Sequence, residues 1–282
     1  FAAITPHPPI IIPGIGKKED LKKVKDTIKA MEKLGKEIAE AEPDTIIIIS
    51  PHALVHQDRF AVYGSPRFFG DFGHFGPPRI ASGEAGAPDI NFRFENDLEL
   101  ASEIIEKAND AGIKAFPFGD PDSDSFELDH GEMVPLYYLT KHLPESVKIL
   151  PIAYSYLDRA QHYGFGQIIN QIANSQKQKA KRIAIIASGD LSHRLIQGAP
   201  AGYSEAGHEF DNQLIEFIKY NKAREIMEMD EELVENAGEC GFRSILILYG
   251  TLEGMKYQPE ILSYEGPFGV GYLVANFTIN YI

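Results

Sequence analysis

The chain has 282 residues, of which 44% are hydrophobic, enough for one sizeable core. Its formal charge of −14, from 41 acidic and 27 basic residues, repels nucleic acid and anionic membranes, and the short basic groups at 17–18 and 177–182 read as solvation beside helices. With the single cysteine Cys240 no intrachain disulfide can form, no apolar run reaches the ~18–20 residues that span a bilayer, and no secretory signal is visible, so a cytoplasmic location is expected.

In chain order, Leu21, Val24, Ile28, Met31, Leu34 and Ile38 recur three or four residues apart among lysines and glutamates, which predicts an amphipathic helix over 19–41. The β-branched run 45–49 has no polar alternation and predicts a strand buried on both faces. Segment 63–94, rich in Gly, Pro, Phe and Arg, is too long for a minimal connection and is expected to shape a site or an interface. Asn96 and Glu99 suggest a capping box for a helix ending near 109. Pro135 marks the early part of a short helix with Leu136, Tyr137 and Leu139, and 147–153 and 182–188 are further apolar strands. Ser204 is placed to cap a helix through Phe210, Leu214 and Phe217, and 242–252 is helical. Strands near 261–264 and 271–276 close the chain. The loops 176–181 and 198–206 do not look like interdomain linkers. The expectation is therefore one domain, 1–282, with a three-layer α/β/α fold around a mixed central sheet. The strand order is not legible.

Three histidines follow apolar segments: His7 between two prolines, His52 at the end of Ile-Ile-Ile-Ile-Ser-Pro-His, and His193 closing Ser-Gly-Asp-Leu-Ser-His. Loops at the C-terminal ends of strands in an open α/β sheet gather into one crevice, so residues distant in sequence can meet at one ion. Glu239, between Gly238 and Cys240-Gly241, is by itself a helix-start acid. Beside two histidines it completes the two-His, one-carboxylate set of non-haem Fe(II) oxygenases. The same donors suit zinc, which leaves a zinc-dependent hydrolase open. The acidic stretch 120–129 reads as a solvated loop, since the calcium-loop pattern is incomplete. Cys240 reads as a nucleophile or a packing residue, and Ser188 and Ser192 lack the glycine-x-serine-x-glycine elbow.

Taken together, the early His7, Ser-Pro-His at 50–52, Leu-Asp-His-Gly at 128–131, Val-Pro-Leu at 134–136, Ser-Gly-Asp-Leu-Ser-His at 188–193, Glu239 and Gly-Pro-Phe-Gly-Val-Gly-Tyr at 266–272 resemble the class III extradiol dioxygenase superfamily. That superfamily includes the catalytic subunit of protocatechuate 4,5-dioxygenase, and the chain also resembles the related mediator-of-cell-motility branch. The resemblance implies metal ligands His7, His52 and Glu239, a catalytic acid/base His193, and a second pocket histidine, His130. It implies Fe(II), with Zn(II) or Mn(II) as alternatives, and O2 as co-substrate. The implied substrate is a small catechol-like or 2-aminophenol-like aromatic, and the implied assembly a homodimer. The mediator branch implies the alternative of a non-catalytic metal-binding or regulatory protein. Tyr63, Phe68, Phe69, Phe72 and Phe75 are expected either to enclose an aromatic substrate or to pack a core or interface.

Overall fold

The computed structural model describes residues 1–52, 55–73, 75, 90–119, 123–175 and 181–279. In chain order the elements are β1 (Ala2–Thr5), α1 (Lys18–Lys23), α2 (Lys25–Ala41), β2 (Thr45–Ser50), β3 (Phe60–Tyr63), β4 (Arg67–Asp71), β5 (Asn91–Glu95), α3 (Leu98–Asp110), β6 (Ala115–Phe118) and β7 (Ser125–Glu127). They continue with α4 (His130–Leu139), β8 (Lys148–Ala153), α5 (Arg159–Ala173), β9 (Ile183–Ser188), α6 (Glu205–Lys219), α7 (Ala223–Met227), α8 (Glu231–Ala237), α9 (Phe242–Thr251), β10 (Tyr257–Glu265) and β11 (Tyr272–Ile279).

Among the described residues, eight strands form one sheet in the order β10-β11-β1-β9-β2-β8-β3-β6. The centre, β1-β9-β2-β8, is parallel. β11 runs antiparallel to β1, β10 to β11, and β3 to β8. The sheet is therefore mixed, with helices on both faces, and the three-layer α/β/α expectation holds. All six residues of β2 are buried. Ile47 and Ile49 pack into the cluster with Phe165 of α5 and Leu246 of α9, and Ile46 and Ile48 into the one with Met31 and Leu34 of α2 and Leu136 of α4. A strand covered on both sides has no polar face to show, which is why the sequence reads Ile-Ile-Ile-Ile. No helix among the described residues is long and apolar enough to cross a membrane.

Four local expectations are corrected. The helix over 19–41 is two helices, because Val24 leaves helical geometry (φ −116°, ψ 28°) while its β-branched side chain enters the core. The cap of α3 is Asp97, not Asn96: the Asn96 amide donates to the Tyr63 and Ser65 carbonyls at 2.8 and 2.9 Å, and Asp97 accepts from Leu100 N. The start of α4 lies at His130, because Asp129 and Glu132 form a complete capping box, so Pro135 falls inside the helix. Segment 63–94 contains strands: β4 alternates exposed and buried residues and pairs with β5 and β7 in a second sheet, β5-β4-β7. The acidic stretch correspondingly yields β7 and the Asp129 cap, while residues 74, 76–89 and 120–122 lie outside the described residues.

Candidate metal centre

Because β1, β9, β2 and β8 are parallel, their C-terminal ends open at one end of the sheet. Thr5, Ser188, Ser50 and Ala153 are the last residues of these strands, and His7, Asp190, His52 and Tyr154 follow within two positions. The reversed strand β11 starts at the same end. There Leu191 N donates to Gly271 O at 2.8 Å and Gly271 N to Ser192 O at 2.9 Å. The terminal glycine-rich motif thus fastens the Ser-Gly-Asp-Leu-Ser-His loop.

His7, His52 and His130 converge there, each with a ligand atom within 4.8 Å of the others'. His7 Nε2 and His52 Nε2 are 3.2 Å apart. The His52 and His130 ring centroids are 4.0 Å apart, and those of His7 and His130 5.6 Å. His130 is brought in by helix α4, whose first turn can approach β2 only because residue 131 is glycine. A Cβ there would lie 2.3 Å from Ser50 Oγ and 2.7 Å from His52 Cδ2. Phe75 borders the group, its ring 5.5 Å from that of His130, whereas Tyr63, Phe68 and Phe72 are buried in the core and Phe69 is exposed.

The tautomer of His7 follows from its neighbours. Ser188 Oγ donates to Gly131 O at 2.6 Å and therefore accepts from His7 Nδ1 at 3.0 Å. That leaves Nε2 as a bare lone pair facing His52. Burial, then the positive fields of His52, His130 and His193, push the His7 pKa well down. Burial and His52 push His130 down to about 4, and burial lowers His52 and His193. The imidazoles are thus neutral at neutral pH, the form that binds metal.

His193 is half-buried beside this group, and its Nδ1 has no hydrogen-bond partner among the described residues. Glu239 is not one of the three converging residues: its Oε2 accepts from Phe242 N at 2.5 Å, at the start of α9. Burial, opposed by the Phe242 amide and Arg243, pushes its carboxyl up to about 7. Its neighbour Cys240 turns inward instead, with Sγ 3.7 Å from His7 Nε2 and accepting from Asp190 N at 3.2 Å. Burial, then Asp190 and Glu239, push the Cys240 thiol well up, which opposes use as a free nucleophile.

Two contributors escaped the sequence reading. Asp190 is buried, accepts the His7 backbone N–H at 3.1 Å, and is pushed up to about 7 by burial. Ser188 works as a hydrogen-bond relay rather than a nucleophile. Both lie in the Ser-Gly-Asp-Leu-Ser-His motif, which was the available signal. His162 is structural: both its nitrogens face carbonyls, of Asp158 at 2.7 Å and Ser155 at 3.0 Å.

A protein of Clostridium acetobutylicum is 39% identical over 273 residues, 95% of this chain, and the chain spans 55% of that protein's length. The 3,4-dihydroxyphenylacetate 2,3-dioxygenase of Escherichia coli is 26% identical over 84% of this chain and 83% of its own. A MEMO1 family protein of Methanococcoides burtonii is 26% identical over 51% of this chain and 56% of its own. The crystal structure of an uncharacterized Escherichia coli K12 protein shares the fold with a TM-score of 0.60 at 16% identity, over 97% of this chain and 98% of that one. Residues 1–275 match the family model described as the catalytic LigB subunit of aromatic ring-opening dioxygenase, and the chain belongs to that family.

Proposed function

We propose that the chain, as one catalytic unit over 1–282, is a non-haem Fe(II)-dependent extradiol dioxygenase that opens a catechol-like or 2-aminophenol-like ring with O2. The observation that carries this reading is the facing pair His7 Nε2 and His52 Nε2 at 3.2 Å in a chain of the LigB family. The bare His7 Nε2 accepts from His52 Nε2 when that nitrogen carries the proton, and with the His52 proton on Nδ1 the two lone pairs face the same point, which a cation can occupy. Nitrogens that share one first-row ion at about 2.0–2.1 Å each stand roughly 3 Å apart. The residues therefore fit the ion. His7 and His52 are its fixed donors. Glu239 is the third donor implied by the resemblance, with one oxygen committed to Phe242 N and the other left to ligate, and His130 is the donor already in reach.

A bound redox-active ion supplies the meeting point at which an ortho-diol and O2 exchange electrons. The chain's own groups do the rest. His193, kept neutral by burial, accepts a proton from the substrate hydroxyl and returns it to the opening ring. His130 orients the substrate oxygen, and Phe75 offers a flat apolar wall. The same reading makes the protein a cytoplasmic homodimer.

The test is anaerobic Fe(II) titration followed by O2 uptake with a catechol and 2-aminophenol panel. The expected result is stoichiometric uptake with a ring-opened product, lost together with metal binding in His52→Ala. His130→Ala and Glu239→Gln, compared for metal stoichiometry, identify the third donor. Fe(II) bound without uptake on any ortho-diol or aminophenol, or uptake preserved in His52→Ala, overturns the proposal.

A further inference from the structure

Ser192, the residue before His193, has every polar group tied down. Its N–H donates to Asp211 Oδ1 at 2.9 Å, its hydroxyl donates to Ala237 O at 2.8 Å and accepts from Arg194 N at 3.0 Å, and its carbonyl accepts from Gly271 N at 2.9 Å. Asp211 belongs to α6, Ala237 ends α8 and Gly271 immediately precedes β11, so three elements converge on one position of the Ser-Gly-Asp-Leu-Ser-His loop. Of these partners only Asp211 contributes a side chain. It is fully buried, and its Oδ2 accepts from Tyr264 Oη of β10 at 2.6 Å. A Cβ on Gly271 would lie 2.2 Å from that oxygen, so the backbone before β11 rests directly on the carboxyl. Two donors converge on Asp211, which suits an acceptor-only carboxylate.

His193 inherits this hold. Burial lowers its pKa, and the carbonyls of Gly238 and Leu191 at its ring oppose that. Gly238 follows Ala237, which accepts the Ser192 hydroxyl, and Leu191 precedes Ser192 and gives its N–H to Gly271 O at 2.8 Å. The groups that meet the ring are therefore the flanks of the same clamp. His7 and His52 are carried by the ends of β1 and β2 instead, outside it.

We propose that Asp211 is the positioning residue of His193: through Ser192 it holds the imidazole against Gly238 and Leu191 and so sets proton transfer, not metal binding. The effect on turnover rests on the ring-opening reading of the histidine centre; the hold on the ring does not. Two arms separate them. In the first, metal-free protein with isotope-labelled histidine is titrated by NMR, and the His193 signal is identified by its loss in His193→Gln. The His193 pKa falls by about 0.5–1 unit in Asp211→Ala, the scale of one net hydrogen bond to the ring. It stays near wild type in Asp211→Asn, which loses the charge but keeps an oxygen to accept Ser192 N. Tyr264→Phe, which frees Oδ2 and keeps the carboxyl, gives a smaller fall in the same direction and carries the test where Asp211→Ala does not fold. In the second arm, Fe(II) affinity and O2 uptake are measured with the catechol and 2-aminophenol panel. Asp211→Ala binds Fe(II) as wild type does and loses about 10–100-fold in kcat, the scale of a misplaced catalytic group; Asp211→Asn recovers most of it. An unchanged His193 pKa in folded Asp211→Ala, or in Tyr264→Phe where that variant does not fold, overturns the proposal. So does an equal fall in Asp211→Asn, which would be the field of the lost charge, or an Fe(II) affinity that drops in step with kcat. A shifted His193 titration in a protein whose wild type takes up no O2 with any diol or aminophenol supports the hold and removes the ring-opening reading instead.

Discussion

Ser188→Ala tests whether the histidine centre is oriented from behind. In the wild type the hydroxyl closes a relay in which His7 Nδ1–H donates to Ser188 Oγ at 3.0 Å and Oγ–H donates to Gly131 O at 2.6 Å. The relay fixes which His7 nitrogen is bare, and it ties β9 to the first turn of the helix that carries His130. Removing the hydroxyl leaves an N–H and a carbonyl unpaired in a buried region, at roughly 1–3 kcal/mol each. It also frees the His7 ring to adopt the other tautomer. Groups that orient a metal-ligating histidine typically contribute about 10–100-fold in metal affinity, or roughly 1.4–2.7 kcal/mol. Competition against a chromophoric chelator gives that affinity, and a urea titration of the metal-free protein gives the stability separately. Both should fall in Ser188→Ala. His7→Ala should abolish tight binding. If Ser188→Ala binds metal as wild type does while His7→Ala does not bind, the tautomer argument is wrong.

Two further outcomes concern the scaffold and its pH dependence. Gly166→Ala should destabilise the protein by about 1–3 kcal/mol in urea despite the better helix propensity of alanine, because the new Cβ would lie 2.1 Å from Ile247 O and 2.9 Å from Gly250 Cα, backbone atoms of α9 that cannot rotate away; a wild-type midpoint would contradict the close packing of α5 on α9. Asp211 is buried, accepts from Ser192 N at 2.9 Å and Tyr264 Oη at 2.6 Å, and has its carboxyl pushed up to about 6, chiefly by burial. Between the ordinary carboxylate value and 6 the folded state holds the extra proton, so stability falls as pH rises through that window, by up to about 3 kcal/mol for a shift of roughly two units. Asp211→Asn should lose this slope, gaining on wild type between pH 4.5 and 7.5 in urea unfolding; parallel curves would refute the assignment.

Much of the architecture was legible because it is driven by burial. Ile-Ile-Ile-Ile in β2 and Ile-Ala-Ile-Ile-Ala in β9 can only be strands covered on both faces, and once such strands are parallel, His52 and the Ser188–His193 loop must share one end. What failed were decisions settled by tertiary partners. Asn96 looks like a cap, but its amide is claimed by Tyr63 and Ser65, so Asp97 takes the helix. Val24 fits a continuous helical stripe, yet its side chain is more useful in the core than its backbone is in the helix. Strands β4 and β5 were hidden by glycine and proline nearby, although the alternation Arg-Phe-Phe-Gly-Asp is present once the buried face is known.

The same logic explains why the site was legible as a list of histidines but not as a coordination set. Residue type and strand position select His7, His52 and His193, and the resemblance adds His130, which helix α4 carries in. Which neighbour joins them depends on one or two side chains at the start of α9. Glu239 satisfies a helix-start amide, which any acid at that position would do, and Cys240 faces His7. The helix start holds one Glu239 oxygen and leaves the other for an ion, whereas His130 is already held in place by the Asp129–Glu132 capping box. The third donor is therefore either Glu239 or His130. Measuring metal affinity in Glu239→Gln resolves it: the amide can still accept from Phe242 N, so stability should hold, and a loss of affinity would then mean that the carboxylate reaches the ion.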